Sequence, residues 1–343
     1  MKKINVAING FGRIGRAFLK VAREHHEISV VAVNDLGNIK NFAYLLKYDT
    51  AYGVSPFEVT ADEVRGVLIV DGKEVQFVSE KDPTKLPWGK LGVDVVVEST
   101  GLFTNYEKAK AHLDAGAKRV VISAPVIDVP DSPVQGATIL MAMNEEKMKT
   151  CQITSNASCT TNAGSPLIAI LDESIGIEKA LLNTVHAYTA SQAIVDGPSR
   201  KDMREGRAAA QNIVPTTTGA AIAVTQVATQ LKGLFDGISI RVPVIAGSIV
   251  DVTFIAKKDT SAEEVNNAFR KAAADPRWKG IFAVTDEALV SRDIIGNRHA
   301  SIADLSFTRV VGGNLVKVLA WYDNEMGYTE TLVRHVIAAG RLI

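Results

Sequence analysis

The sequence predicts two domains of different class, an α/β domain on a parallel sheet followed by an α+β domain whose sheet is mainly antiparallel. Three observations lead there. The chain has 343 residues, about two domains by length alone. Its first half alternates short apolar strands with helical stretches, and that order implies parallel pairing through right-handed crossovers. Its second half carries long segments of alternating polarity, which suit antiparallel strands with one covered face.

In the first half, Ile4–Ile8 reads as a strand and Arg16 to Glu24 as a helix. Ser29–Val33, Val93–Val97 and Arg119–Ile122 are apolar runs of the kind that parallel sheets bury. From Val54 to Val78 the rhythm breaks, and the Asp71-Gly72 turn signal marks an inserted hairpin. In the second half, strands are expected at Leu181–Tyr188, Ile238–Val242, Ile249–Ala256 and Leu315–Trp321. Helices are expected at Ala163–Leu171, Ala220–Leu231, Ala262–Ala274 and, last, Thr329–Ala339. There are no repeats and no Gly/Ser linker.

Lysine plus arginine balance aspartate plus glutamate, 38 against 38, which gives no electrostatic reason to expect nucleic acid or an anionic membrane as the main partner. No apolar signal core follows Met1-Lys2-Lys3, and no run reaches the length of a membrane span. Two cysteines, Cys151 and Cys159, make neither a disulfide framework nor a four-ligand metal site. A cytoplasmic protein in a reducing compartment, without a metal, is expected.

Asn9-Gly10-Phe11-Gly12-Arg13-Ile14-Gly15 places Gly-x-Gly-x-x-Gly between a strand and a helix. Such glycines permit the tight turn, the close approach of backbone to a pyrophosphate and close helix–strand packing, and the helix start favours phosphate charge. Alone the pattern is weak. Asp35, at the end of the next strand and 20 residues after Gly15, strengthens it, because a carboxylate there can accept from a ribose hydroxyl. It would also repel a 2′-phosphate, and Leu36 offers no cation, so NAD is favoured over NADP. A bare turn or a helix cap explains the glycines or the aspartate singly, but not both in that spacing.

Thr154-Ser155-Asn156-Ala157-Ser158-Cys159-Thr160-Thr161-Asn162 sets a cysteine among hydroxyls and amides just before a helical segment. A helix N-terminus favours thiolate over thiol. Most cysteines are small buried hydrophobes, a description that fits these surroundings poorly. Of six histidines, His186 lies at the end of a strand beside polar residues, whereas His25 and His26 sit in a charged helix end and His299 in a polar loop. By this logic His186 is the best of several bases, with a structural histidine still open.

These stretches, with His186-Ala187-Tyr188-Thr189, Arg207-Ala208-Ala209-Ala210-Gln211-Asn212 and Trp321-Tyr322-Asp323-Asn324-Glu325, resemble the glyceraldehyde-3-phosphate dehydrogenases across nearly the whole chain. The resemblance implies a Rossmann-type NAD-binding domain at 1–158, a catalytic domain at 159–325, and a C-terminal helix at 326–343 that returns to the first. It implies Cys159 as nucleophile and His186 as base. It assigns Ser158, Thr160, Thr189, Thr218, Gly219 and Arg241 to two anion pockets, for substrate phosphate and inorganic phosphate. On the cofactor side it points to Gly10, Gly12, Arg13, Ile14, Gly15, Asp35, Lys81, Ser123 and Asn324, with NAD as cofactor and a homotetramer as the assembly. Ser191 through Arg207 corresponds to the family's S-shaped loop, where Pro198 stands as in NAD-specific members.

Ala163 replaces a second cysteine common in the family, Met326 and Met203 stand where larger or different apolar residues are frequent, and Val244–Gly247 departs from the usual stretch. None of these removes a catalytic group. An erythrose-4-phosphate dehydrogenase would share the nucleophile; the His-Ala-Tyr-Thr run and Val195–Pro198 favour the triose enzyme. A semialdehyde dehydrogenase would lack the loop. A non-catalytic dinucleotide- or RNA-binding module would have no use for both Cys159 and His186.

Overall fold

The computed structural model describes residues 3–126, 132–199 and 202–343. Two compact units emerge from the contacts: Met1–Ala157 with Thr329–Ile343, and Ser158–Tyr328.

The first unit opens with β1 (Ile4–Asn9), α1 (Arg13–Ala22), β2 (Ile28–Asn34), α2 (Ile39–Lys47) and a short hairpin, β3 (Tyr48–Asp49) and β4 (Gly53–Val54). Then come β5 (Val59–Asp62), β6 (Val67–Val70), β7 (Lys73–Val78), β8 (Val95–Glu98), the short helices α3 (Tyr106–Ala109) and α4 (Ala111–Asp114), β9 (Arg119–Ile122), β10 (Gly136–Thr138) and β11 (Ile153–Ser155). Among the described residues these form a nine-stranded sheet ordered β10-β11-β9-β8-β1-β2-β7-β6-β5. Every pair from β10 to β7 is parallel, and only the two edge pairs, β7–β6 and β6–β5, are antiparallel. Val95, Val96 and Val97 are fully buried, as a strand covered on both faces must be.

The hairpin expected over Val54–Val78 is larger than that. Asp71 and Gly72 do turn with positive φ, 48° and 71°, but β7 leaves the hairpin to pair in parallel with β2, so the segment extends the main sheet. The chain goes from β1 to β2 on one side, and β8 pairs on the other side of β1. This is the switch point at which open α/β sheets leave a crevice beyond their carboxyl ends.

The second unit comprises α5 (Cys159–Ser174), β12 (Ile177–Ala187), β13 (Val214–Thr217), α6 (Ala220–Thr225), β14 (Phe235–Val242), β15 (Ser248–Ala256), α7 (Ala262–Ala274), β16 (Phe282–Thr285), β17 (Ser301–Val311) and β18 (Leu315–Tyr322). Its sheet runs β13-β14-β12-β15-β18-β17-β16, antiparallel except for β12–β14 and β16–β17. β15 alternates buried and half-buried residues along its whole length, and α5 and α7 pack against this sheet. The last helix, α8 (Met326–Gly340), begins in this unit and ends in the first. The single helix expected at Ala220–Leu231 is broken: α6 stops at Thr225 and a 3-10 turn follows at Thr229–Leu231. Ile222, Val224, Thr225, Val227 and Thr229 are β-branched, and their restricted χ1 weakens a continuous helix.

Candidate active site

In the second unit, Ser158 is the N-cap of α5, and its Oγ accepts from the Thr161 N–H at 3.0 Å. Cys159 is therefore the first helical residue, closer to the N-terminus than the sequence pattern alone placed it. Its Sγ lies 3.3 Å from His186 Nε2. His186 sits near the end of β12 and is 3 % exposed. Its register partner on the parallel strand β14 is Arg241. The Arg241 guanidinium lies against His186 Nδ1 and donates to the Ala187 carbonyl at 3.1 Å. Nδ1 is in turn 2.6 Å from that carbonyl. Each tautomer serves one partner: a proton on Nδ1 goes to Ala187 O and frees Nε2 to accept from the thiol, whereas a proton on Nε2 lets Nδ1 accept from Arg241.

Burial, and then the Arg241 charge, holds His186 down at about 3, so the ring is neutral at physiological pH. Burial pushes the Cys159 thiol up, opposed by the Arg241 charge and by hydrogen bonding at Thr160, including its backbone N–H. The helix start favours thiolate, but desolvation outweighs it here. At rest the pair is thiol and neutral imidazole, and proton transfer to Nε2 belongs to the attack itself.

Tyr322, on β18, was not singled out as a site residue by the sequence. Its hydroxyl is 3.0 Å from Thr160 Oγ1 and 2.8 Å from Thr184 Oγ1, and Thr184 donates to Ile249 O at 3.2 Å. Each hydroxyl has one proton, so donation runs Thr160 to Tyr322 to Thr184 to the backbone. The chain ties α5 to β12 beside the Cys159–His186 pair. Tyr322 also meets the His186 ring edge-on at 6.0 Å. Burial, and then the Cys159 charge, pushes its phenol up, and it remains un-ionised.

The residues expected to bind anions are variously engaged. Ser158 Oγ caps α5, and Thr160 Oγ1 is bonded to Tyr322. Thr189 Oγ1 pairs with Ser191 Oγ at 3.0 Å, and Thr218 Oγ1 accepts from the Ala220 N–H at 3.2 Å. Gly219 is open, with nothing within 4 Å of where a Cβ would stand. Arg241 Nε is buried and makes no hydrogen bond within the protein. Asn324 Oδ1 accepts from Gly247 N–H and Ser248 Oγ, both at 3.1 Å. Pro198 is described, but residues 200 and 201 of the stretch from Ser191 to Arg207 lie outside the described residues.

In the first unit, Gly10, Gly12, Asp35 and Lys81 line one cleft of about 320 Å³, together with Leu36 and Thr100. A Cβ on Gly10 would meet Thr100 N at 2.6 Å, and one on Gly15 would meet Gly10 O at 2.2 Å, so both must be glycine. Gly12 differs: nothing stands within 4 Å of its missing Cβ. It is the N-cap of α1 and supplies no side-chain cap, which leaves the first N–H groups of that helix for a ligand. An open backbone cradle at the start of a ten-residue helix fits a pyrophosphate. Asp35 accepts from the Phe11 N–H at 2.7 Å and the Gly37 N–H at 3.2 Å, which fixes its carboxylate at the cleft. Ile14 is half-buried in the first turn of α1, and Ser123 directly follows β9. Arg13 is committed elsewhere, paired with Asp49 at 2.9 Å and stacked over Tyr52.

Comparison with known proteins matches both units. The model of the glyceraldehyde 3-phosphate dehydrogenase NAD binding domain matches residues 4–106, and that of the C-terminal domain matches residues 158–324. Glyceraldehyde-3-phosphate dehydrogenase of Streptomyces coelicolor is 48% identical over 340 residues, 98% of each chain. The enzyme of Mycobacterium avium is 47% identical over 344 residues, 98% of this chain and 99% of its own. That of Borreliella burgdorferi is 47% identical over 337 residues, 96% and 98%. The NAD-type cleft, the cysteine at a helix start beside a neutral histidine, and these full-length likenesses agree: the chain belongs to the glyceraldehyde-3-phosphate dehydrogenase family.

Proposed function

We propose that Cys159 is the nucleophile and His186 the base in the NAD-dependent, phosphorylating oxidation of D-glyceraldehyde 3-phosphate to 1,3-bisphosphoglycerate. The observation that carries this is the 3.3 Å approach of Cys159 Sγ to Nε2 of a buried, neutral imidazole. The chain is an NAD-dependent oxidoreductase of glycolysis, and the tetrose-phosphate and non-catalytic readings are not favoured.

Sγ attacks the aldehyde carbon while Nε2 takes the thiol proton and passes it on to the oxyanion, giving a hemithioacetal with His186 neutral again. The Cys159 N–H, at the start of α5, is a donor for the oxyanion. NAD, when bound, supplies the hydride acceptor. His186 takes the remaining hydroxyl proton, and the acyl group is left as a thioester on Cys159. Inorganic phosphate then displaces Sγ to release the acyl phosphate and regenerate the thiol.

Arg241, with its unpaired buried Nε, is the cation for a phosphate. Thr189, Thr218 and Gly219 add neutral donors, and Ser158 and Thr160 contribute through their backbone at the helix start. Gly10, Gly12, Gly15, Asp35 and Lys81 hold the cofactor, with Ile14 and Ser123 completing its surroundings in the first unit. NAD reduction by glyceraldehyde 3-phosphate, with and without inorganic phosphate, tests the reading: turnover that ignores phosphate contradicts it.

A homotetramer is the proposed assembly. Trp321, Ile249, Val185 and Ile240 are register neighbours across four strands, all half-buried on one sheet face. Leu181 and Ile238 on the same sheet are 66% and 55% exposed. Such a contiguous apolar surface suits a second copy, and sedimentation at the mass of one chain contradicts it. We place the protein in the cytoplasm, which suits two free thiols. No helix among the described residues is long and apolar enough to cross a membrane.

A further inference from the structure

Beneath the cleft of the first unit lies a buried carboxylate that the reaction does not use. Glu98 ends β8 and is 2% exposed. Its Oε2 receives Asn9 Nδ2 at 2.6 Å and His112 Nε2 at 2.9 Å. Its Oε1 receives the Thr100 N–H at 2.8 Å and the Thr100 hydroxyl. The proton positions follow from the chemistry of the groups. Trp88 Nε1 can only donate, and it lies 3.1 Å from His112 Nδ1, so Nδ1 accepts and the ring proton sits on Nε2, facing Glu98.

The network continues outward. Asn9 Oδ1 accepts from Asn34 Nδ2 at 2.7 Å, and Asn34 also bonds both the carbonyl and the N–H of Glu80, each at 2.9 Å. Thr100, Asn9, Asn34 and Glu80 follow or end β8, β1, β2 and β7, which are adjacent in the sheet, and all four line the cleft. Gly10 closes the arrangement, since it packs against Ser99 and Thr100 so tightly that no Cβ fits.

We propose that Glu98 is a positioning residue for NAD: its carboxylate, oriented by His112 and Trp88, fixes the four strand ends that form the cleft, through Thr100 on one oxygen and Asn9 on the other. The inference rests on reading this cleft as the dinucleotide site. An amide at residue 98 must present its NH2 either to the Thr100 donors or to the Asn9 and His112 donors, so Glu98→Gln opposes donor to donor at one end and loosens one lip of the cleft.

The test measures NAD dissociation constants by titration calorimetry on the full chain, with steady-state constants and thermal midpoints for the same proteins. Glu98→Gln is expected to raise the dissociation constant for NAD about tenfold or more, with the Michaelis constant for the aldehyde and the alkylation rate of Cys159 within about twofold of the parent. Trp88→Phe, which removes the N–H that sets the His112 tautomer together with part of a fully buried ring, is expected to weaken NAD about threefold and serves, read against its thermal midpoint, if Glu98→Gln does not fold. Variants that melt earlier yet bind NAD as the parent does would overturn the proposal and leave Glu98 a purely structural residue. An unmodified protein without saturable NAD binding would overturn the cleft reading itself, and the proposal with it.

Discussion

Arg241 and His186 are register partners on the parallel strands β14 and β12, and a guanidinium nitrogen lies against the imidazole Nδ1. One cation thus touches the proposed base while keeping a buried, unpaired Nε for an anion. It disfavours a second positive charge on the ring and favours a negative one on Cys159.

Arg241→Leu is therefore expected to do two separable things. Losing the anion contact raises the Michaelis constant for the phosphorylated aldehyde or inorganic phosphate about tenfold or more, while unphosphorylated glyceraldehyde is affected much less. Losing the cation moves the pH profile of Cys159 alkylation to higher pH, because Arg241 lowers the thiol. Equal slowing of both aldehydes with an unmoved profile would contradict both roles. Lysine is not an equivalent replacement, since a point charge cannot reproduce the planar fork.

Cys159→Ala is expected to reduce oxidation by on the order of a thousandfold or more while NAD still binds. Iodoacetate is expected to label Cys159 well before Cys151, which is 8% exposed with its thiol turned to the Lys147 carbonyl. Peptide mapping after partial inactivation checks this; label on Cys151 in step with lost activity would contradict it.

Cofactor choice follows from Asp35. NAD is expected to be preferred over NADP by about a hundredfold, because setting like charges side by side costs several kcal/mol. Leu36, 61% exposed, supplies no compensating cation. Asp35→Gly with Leu36→Arg should narrow the gap, and equal use of both cofactors by the unmodified protein would show the carboxylate to be misassigned.

Acid stability should depend on two buried histidines. His335 on α8 is fully buried, bonded to Thr154 Oγ1 at 2.8 Å and Asn156 Oδ1 at 3.1 Å, and burial followed by the Arg119 charge holds it at about 3. His186 is held at about 3 as well. The unfolded chain takes up these protons from 6.5 downward and the native chain does not, so stability falls as pH drops from 6.5 toward 3. Each histidine contributes a slope of about 1.4 kcal/mol per pH unit. Denaturant titrations between these limits should show His335→Gln with a slope shallower by that amount; an unchanged slope would contradict the account.

The glycine turn, Asp35 and the cysteine run were legible because their chemistry lies within a few residues of chain. His186 stood out only as the best of several, since its credentials depend on Cys159 and on Arg241, 55 residues beyond it. Neither the Arg241–His186 pairing nor the Thr160–Tyr322–Thr184 chain exists before β12, β14 and β18 take their places in the sheet. The break after Thr225 accords with the β-branched residues around it, whereas the apolar periodicity runs on to Leu231. The extension of the hairpin by β7 was not readable, because it is decided by pairing with β2.

The central claim, covalent oxidation on Cys159, is tested most directly by acid-quenching the protein after mixing with glyceraldehyde 3-phosphate and NAD in the absence of inorganic phosphate, then mapping its peptides by mass spectrometry. One phosphoglyceroyl adduct is expected on the peptide that carries Cys159, matched by one NADH per chain and discharged on adding phosphate. An adduct on Cys151, or an NADH burst with no acyl group on Cys159, would contradict it.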